Sequence, residues 1–450
     1  MTASEYAGFK RVMECYQADP SVRRSLENGE EDILYPLGLS GKQALVRDGI
    51  RRILSGDFTS RKARQNPYVR EYADRNNRVS EVLQKRTAKE NFAADGIWQY
   101  SNVVRNRCRM ENRMIRMHSN IYYYPVCFEL SQGCRVQCPF CGLKAEVWSR
   151  DFRYTQENRS LWREILQITK ELLGSVVNTC PCYFATEPLD NPDYEKFLKD
   201  VWEITGDVPQ TTTALAEKLP DRTRNLMKFL GEEQLKEKNA LRFSVRILKQ
   251  FYRLMELYTP EELENVELVI NNPESTGKYS NSGRAAENRQ ESQEKLACYS
   301  ISCVAGIRVN MAAGTMAFTE PEQPCKQYPL GMRTREVLSF RDADSYRNCL
   351  IRLFRSYAFG TIPHYVPVQI NRNVQVRNVN TENGKEIWLI GDQTGYRVTA
   401  HPLIESILKQ LKNGCVPAQL FQKCNLSVQA EQKIYSLLNE LYIRGYLCQK

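Results

Sequence analysis

Residues 131–142 read SQGCRVQCPFCG. The three thiols, Cys134, Cys138 and Cys141, are spaced CxxxCxxC and follow at once on YYYPVCFEL (122–130), a short aromatic and β-branched run that predicts a strand. Three thiolates on one short loop can each ligate one iron of a cubane [4Fe–4S] cluster, leaving the fourth iron without a protein ligand. Gly133 lets the backbone turn tightly in front of them. Zinc is the alternative, but zinc loops pair CxxC with ligands on a second knuckle. No CxxC pair stands beyond Cys141, and the chain has only 3 histidines.

Downstream, SLWREILQITKELLG (160–174) has helical spacing, with Leu161, Ile165, Leu166, Leu172 and Leu173 as its apolar positions. Short apolar runs follow at CPCYFAT (180–186), PQTTTAL (209–215), LRFSVRIL (241–248) and VELVI (266–270). Helical segments such as 191–204 and 221–235 lie between them. Strands alternating with helices predict βα units on a parallel sheet, here an α/β fold with an open or partial (β/α) barrel. Residues 271–297 are polar and turn-rich, as a loop or lid would be, and 303–321 reads as a hairpin around Ala-Ala-Gly. The expected division is a helical N-terminal cap (1–120), a core with its following hairpin (121–335), a connector (336–383) and a C-terminal unit (384–450). That last unit combines paired strands IWLI and YRVT with three helices, the third capped by Ser427, in the layout of a small winged-helix module.

At 450 residues, and roughly 150 per domain, about three folding units are expected. A 42% hydrophobic and 26% charged composition is that of a globular chain, which excludes a wholly disordered or fibrous one. No run approaches the ~20 apolar residues of a membrane span. The N-terminus shows no secretion signal, so a cytoplasmic protein is expected. There, 15 cysteines point to metal or redox chemistry before disulfides. The net charge of +10 is concentrated before residue 120, in RKAR (62–65) and RNRCRMENRMIRMH (105–118). These stretches could track nucleic acid or an acidic peptide, but interleaved acidic residues favour a solvated helix face.

The cysteine motif, with Phe140 before its last thiol, resembles that of the radical S-adenosylmethionine (SAM) superfamily. The resemblance implies that the open iron binds the amino and carboxylate groups of SAM. It also implies that an external electron donor reduces the cluster, releasing a 5′-deoxyadenosyl radical. In that family a GGEP motif contacts the methionine amino group. Here Ala185-Thr186-Glu187-Pro188 stands in its place, departing at both glycines but keeping Glu187. Thr211, Thr212, Thr213 and Ser244 fall where the family places ribose and carboxylate contacts. Threonine is also a good strand former, so each has a plain structural alternative.

FELSQGCRVQCPFCGLKAE, YFATEPLDNPDYEKFL, VPQTTTA, RFSVRIL and CVAGIRVNMAAGTMAFTEPEQPCKQYPLGMR, in this order over about 121–335, resemble the peptide epimerases that mature ribosomal natural products. Such enzymes convert L-residues of a precursor peptide to D-residues. The deoxyadenosyl radical takes a Cα hydrogen, and a thiol on the opposite face returns one. Cys325, in PEQPC after the expected hairpin, is the candidate donor, with Cys303 and Cys298 in reserve. The C-terminal unit resembles the element that binds leader peptides by strand addition. A DNA-binding winged helix is the competing reading, but residues 427–444 carry Glu431 and Glu440 beside Lys433 and Arg444, so nucleic acid is not the expected partner. Residues 9–39 faintly resemble a leader peptide. Backbone excision or crosslinking on the same chemistry, and an RNA-binding iron–sulfur protein, are the alternative functions. An auxiliary cluster from Cys298, Cys303, Cys325 and Cys349 is left open.

Overall fold

Local capping shapes the helical N-terminal region. Thr2 caps α1 (Ala3–Ala18) by accepting from the Glu5 N–H, and Asp19 caps α2 (Pro20–Asn28), whose first residue needs no hydrogen-bond donor. Next come α3 (Gln43–Ser55), α4 (Pro67–Arg86) and α5 (Asp95–Glu111). Phe9, Val12, Ile50 and Tyr68 are buried together in a small core of this region, with Phe9 stacked on Tyr68 at 4.3 Å. The region is fastened to the rest of the chain: buried Arg11 donates to the carbonyls of Met255 (3.1 Å) and Tyr258 (2.7 Å), and Asn272 donates to that of Ala18 (2.9 Å). The computed structural model describes residues 1–111, 125–277, 279–288, 297–298, 306–322, 324–382, 384–391 and 394–450. Cys303 and the end of the basic stretch 105–118 lie outside the described residues.

The central region opens with β1 (Val126–Glu129) and the short ribbon β2 (Ser131–Gln132) with β3 (Arg150–Asp151). After these come α6 (Gln156–Leu173), α7 (Tyr194–Thr205), β4 (Thr211–Thr213), α8 (Pro220–Lys238) and β5 (Leu241–Val245). Then follow α9 (Leu248–Leu257), α10 (Pro260–Leu263), β6 (Glu267–Ile270), β7 (Tyr279–Ser280), α11 (Gly283–Glu287) and β8 (Ala297–Cys298). The region closes with β9 (Gly306–Asn310), β10 (Thr315–Pro321), β11 (Met332–Ser339) and α12 (Ala343–Tyr357). Strands β4, β5 and β6 form one parallel sheet, and β1 pairs in parallel with β9 in a second, which continues antiparallel through β10 and β11.

The expected strand at 180–186 is not assigned as one. Its prolyl Pro181 has no N–H to give a ladder. It still runs beside β1, where the Phe128 N–H donates to the Pro181 carbonyl (2.9 Å), and reaches β4 through the Tyr183 and Thr212 hydroxyls (2.7 Å). Segment 180–186 therefore bridges the two sheets. Trp162 of α6, Phe197 of α7, Phe251 of α9 and Leu350 of α12 join the strands in one apolar core. Residues 336–383, read as a connector, divide between neighbours: the end of β11 and α12 join this core, and the rest joins the C-terminal unit.

That unit contains β12 (Val368–Ile370), β13 (Gln375–Thr381), β14 (Gly384–Ile390), β15 (Gly395–Thr399), α13 (Pro402–Asn413), α14 (Pro417–Cys424), α15 (Val428–Ile443) and β16 (Leu447–Gln449). It therefore begins ahead of residue 384, with a third strand, β13, on the far side of the expected pair. Ser427 caps α15 by accepting from the Ala430 N–H. Helix α5 serves both cores: Tyr100 and Val104 enter the central one, Val103 and Met110 the C-terminal one. Among the described residues no helix is long and apolar enough to cross a membrane.

Candidate functional site

The cysteine loop is shaped by its own backbone. Ribbon β2–β3 holds its ends together, and the Cys134 N–H donates to the Glu146 carbonyl at 2.9 Å. Gly133 sits at φ 77°, where an added Cβ would lie 2.3 Å from the Val147 carbonyl oxygen, so the turn admits glycine alone. Gln137, at φ 49°, folds its side-chain amide back onto the Cys134 (2.7 Å) and Glu146 (2.9 Å) carbonyls. The stretch expected as a loop or lid supplies a second brace. Arg284 of α11 donates to the carbonyls of Cys138 (3.0 Å) and Ala145 (2.9 Å), and Ser282 donates to that of Gly142 (3.0 Å). Loop carbonyls are thereby bonded to side chains, and the three half-buried thiols are the soft ligands that remain.

Burial raises the Cys134 pKa and pushes the Cys138 thiol up to about 12; at Cys138, Arg246 pulls the other way, while Cys134 and Cys141 add to the rise. Cys138 thus lies within electrostatic reach of both other thiols, and the raised pair must lose protons to bind a metal. Among the described residues no three His, Cys, Asp or Glu side chains converge on one ion. A cubane asks for something else: three thiols spread round a cluster, each on its own iron. The donor set fits that demand. Phe140 is half-buried in the same loop.

Glu187 is buried and stands where 180–186 meets β4. One carboxylate oxygen accepts from Thr213 Oγ1 (2.5 Å) and the Leu189 N–H (3.1 Å), the other from the Ala214 N–H (2.8 Å). Burial lifts its pKa to about 7, against the opposing pull of these donors. A carboxylate has about four lone-pair sites, so Oε2 retains one for a cationic ligand. The three threonines separate by the two-residue period of a strand. Thr211 is fully buried and bonds Tyr194 of α7 (2.9 Å), Thr213 serves Glu187, and Thr212 lies on the opposite face. There Arg242 donates to Thr212 Oγ1 (2.8 Å) and to the Tyr183 hydroxyl (3.3 Å), and Ser244 follows on the same half-buried face of β5. Across the bridging segment, buried Glu129 accepts from the Ala185 N–H (2.9 Å) and Asn310 (3.2 Å) and pairs with Arg308 (3.5 Å). The sequence reading did not pick out Arg242, Arg246, Arg284 or Arg308, for isolated arginines form no spacing pattern.

Cys325 is an exposed free thiol in the loop between β10 and β11. The loop is a tight turn: the Cys325 and Tyr328 N–H groups donate to each other's carbonyls, at 3.2 and 3.0 Å. One residue further, the Pro329 carbonyl accepts from the Gly283 N–H (3.0 Å). Gly283, at φ 55°, lies so close to the cysteine loop that an added Cβ would be 2.6 Å from the Gly142 carbonyl oxygen and 2.7 Å from that of Cys141. Ser282-Gly283 therefore joins the Cys325 turn to the end of the cysteine motif. Cys298 lies in β8, and Cys349 belongs to α12, where its thiol donates to the Ser339 carbonyl at 3.5 Å.

A relative in Sinorhizobium fredii, described as "Uncharacterized protein y4wI", is 33% identical over 258 residues, covering 56% of this chain and 50% of that protein. The chain thus spans about half the length of the curated relative it matches. No family model matches the chain. No solved structure matches it either.

Proposed function

We propose that the chain is a cytoplasmic radical SAM peptide epimerase built on a partial (β/α) barrel, converting L-residues of a ribosomally made precursor to D-residues. One observation carries this reading: Ser282-Gly283 ties the Cys134/Cys138/Cys141 loop to the turn bearing an exposed thiol, Cys325. Cys134, Cys138 and Cys141 would hold a [4Fe–4S] cluster with SAM. When bound and reduced by an external electron donor, that group supplies a 5′-deoxyadenosyl radical able to take a substrate Cα hydrogen. Glu187 offers its remaining lone pair to the SAM ammonium, with Phe140, Thr212 and Ser244 alongside; Thr213 acts through Glu187, and Thr211 through the helix layer. Arg242 and Arg308 supply donors for peptide carbonyls on the inner face.

Cys325 completes the inversion. Its S–H bond breaks as a new C–H bond forms on the opposite face of the planar Cα centre, leaving a thiyl radical on sulfur. One electron and one proton, from the external donor and water, restore the thiol. The C-terminal unit would bind the precursor's leader by adding a strand to the edge of β15 that faces away from β14. The test is a reaction in deuterium oxide with SAM, dithionite and the precursor peptide. Epimerisation adds about one mass unit per inverted centre, because the thiol exchanges its hydrogen with water. Excision or crosslinking instead changes the composition of the peptide. With Cys325→Ala, deoxyadenosine should still form while D-residue yield and deuterium uptake fall at least tenfold. Wild-type D-residue yield from that variant would move the donor role to Cys303 or Cys298.

A further inference from the structure

The turn that bears Cys325 is carried on β10 and β11, and the end of that hairpin next to the turn contains a buried ionic node. Glu320, 1% exposed, takes Arg107 Nη1 on one oxygen (3.0 Å) and Arg335 Nε (2.6 Å) and Arg333 Nη2 (3.5 Å) on the other. The arginines also tie the node to two other parts of the chain. Arg107 sits on α5, the helix shared by the central and C-terminal cores. Arg333 donates to the Gln449 carbonyl (2.7 Å), and Arg335 donates to the carbonyls of Gln449 (3.3 Å) and Lys450 (2.8 Å). Those carbonyls lie on or just past β16, which pairs with β12. Just beyond β12, Arg372 places its guanidinium 5.9 Å from the Tyr328 ring centre, and Arg333 lies at the same distance. Tyr328 is the residue whose backbone closes the Cys325 turn. A line of contacts therefore runs from the C-terminal unit, through the Glu320 arginines and the ring of Tyr328, to the turn, and on by the Pro329–Gly283 hydrogen bond to the cysteine loop.

We propose that Glu320, with Arg335 and Arg333, is the positioning centre that sets the Cys325 turn in register between the cysteine loop and the C-terminal unit. The inference deepens the epimerase reading and rests on it for what the positioning achieves. Glu320 is 1% exposed and the side chains of Arg333 and Arg335 only 11% and 14%, so the three act through the turn rather than on a ligand. They fix the direction from which the thiol is offered, and a thiol offered from the wrong face or too late leaves the Cα radical to other fates. A single carboxylate shared by three guanidiniums suits the role, since its two oxygens and the planar arginine forks constrain direction as well as distance.

The test combines local amide exchange with product partition, on full-length protein carrying Glu320→Gln, Arg335→Met or Arg335→Lys. Hydrogen–deuterium exchange at Cys325, Tyr328 and Gly331 should speed up at least threefold in Glu320→Gln and Arg335→Met, with exchange in β4 and β5 unchanged. Arg335→Lys, which keeps the charge, should recover part of the protection. With SAM, dithionite and the precursor peptide, D-residues formed per deoxyadenosine should fall at least threefold at an unchanged deoxyadenosine yield. Unchanged exchange and partition in the folded variants overturn the proposal, as does a uniform rise in exchange across the whole chain. If Glu320→Gln does not fold, the two Arg335 variants decide alone. Absence of deoxyadenosine from the wild type would defeat the epimerase reading instead, and the exchange measurement would still decide whether the node holds the turn.

Discussion

The cysteine loop and the Cys325 turn are held in opposite ways. The first is closed mostly from within: Gly133, Gln137 and the Cys134–Glu146 backbone bond all lie in about fifteen residues of chain, and Arg284 and Ser282 only brace it. The second is an exposed turn anchored from afar, through Glu320, three arginines and the carbonyls of Gln449 and Lys450. Each also stands near a buried glutamate, and the two glutamates carry opposite charge tendencies. Backbone amides and a hydroxyl leave Glu187 raised by burial to about 7. At Glu320 burial likewise raises the pKa, but Arg107, Arg335 and Arg333 outweigh it and hold the carboxyl below its ordinary range. The proposed ammonium site leaves its carboxylate short of positive charge, whereas a joint needs its charge neutralised in place.

The harshest way to break the comparison is to strip the self-contained loop of its thiols. Replacing Cys134, Cys138 and Cys141 together with alanine should abolish the broad visible absorbance of reconstituted protein and all deoxyadenosine formation. The far-ultraviolet circular dichroism should stay that of the wild type, because the bonds that close the loop run through Gln137, Arg284, Ser282 and the Cys134–Glu146 backbone pair, and among the three thiols only that of Cys134 takes backbone N–H groups, those of Val136 and Gln137. A triple variant that keeps its chromophore and still cleaves SAM would falsify the radical chemistry.

That difference in anchoring also explains what could be read from the residues alone. The cysteine loop was legible because its determinants are adjacent in sequence, as were the β9–β10 hairpin and the order of strands and helices around β4, β5 and β6. The β13 strand was missed because QVRNVNT is polar and only weakly alternating, as an edge strand with mostly exposed side chains can be. Helix α12 was placed in a connector, although Tyr346, Leu350 and Leu353 are fully buried in the central core. Only tertiary packing distinguishes that burial from an ordinary amphipathic helix. Glu320 was illegible for a stronger reason. Its partners are 13, 15 and 213 residues away, and no local pattern encodes an ionic node assembled over such distances.

The glutamates sharpen the comparison through pH. Glu187 has its folded pKa raised above the unfolded value, so folded protein binds the proton more tightly. Its contribution to stability is full at acidic pH and is lost as pH rises through about 7. Glu320, with a lowered folded pKa, works in the other direction: its contribution is present above the ordinary carboxylate range and is lost as pH falls through its folded value. Cluster-free wild type should therefore lose stability relative to Glu187→Gln between about pH 5 and 7, at a slope approaching ~1.4 kcal/mol per pH unit for one proton, and level off above that. Urea melts of both proteins across that range supply the measurement. Parallel curves would mean that Glu187 is already ionised in the empty site.

The smallest expected effect concerns the edge of β15, which ends its three-stranded sheet among the described residues. Here the direction of the backbone can be worked out. The Ala400 N–H donates to Lys385 (2.9 Å), and the Gly391 N–H donates to Thr394 (2.8 Å), so the backbones of residues 394, 396, 398 and 400 face β14. Those of Arg397 and Thr399 then face away from β14, toward the edge that pairs with no other strand among the described residues. Proline at 397 removes one outward donor while sparing the ladder to β14, and proline is tolerated on such an edge. The side chain must be separated from the backbone, since the Arg397 guanidinium lies 5.0 Å from the Trp388 ring centre. Arg397→Ala supplies that control. One backbone hydrogen bond contributes ~1 kcal/mol, which is about fivefold in affinity. Titration of a fluorescently labelled precursor leader should show about that loss for Arg397→Pro and less than twofold for Arg397→Ala. Equal losses in the two variants would place recognition in the Arg397 side chain, and no loss in either would take the leader away from this edge. In both variants the Cys325 turn should keep its amide protection, because the bonds that anchor it run through β16 and α5 and bypass β15.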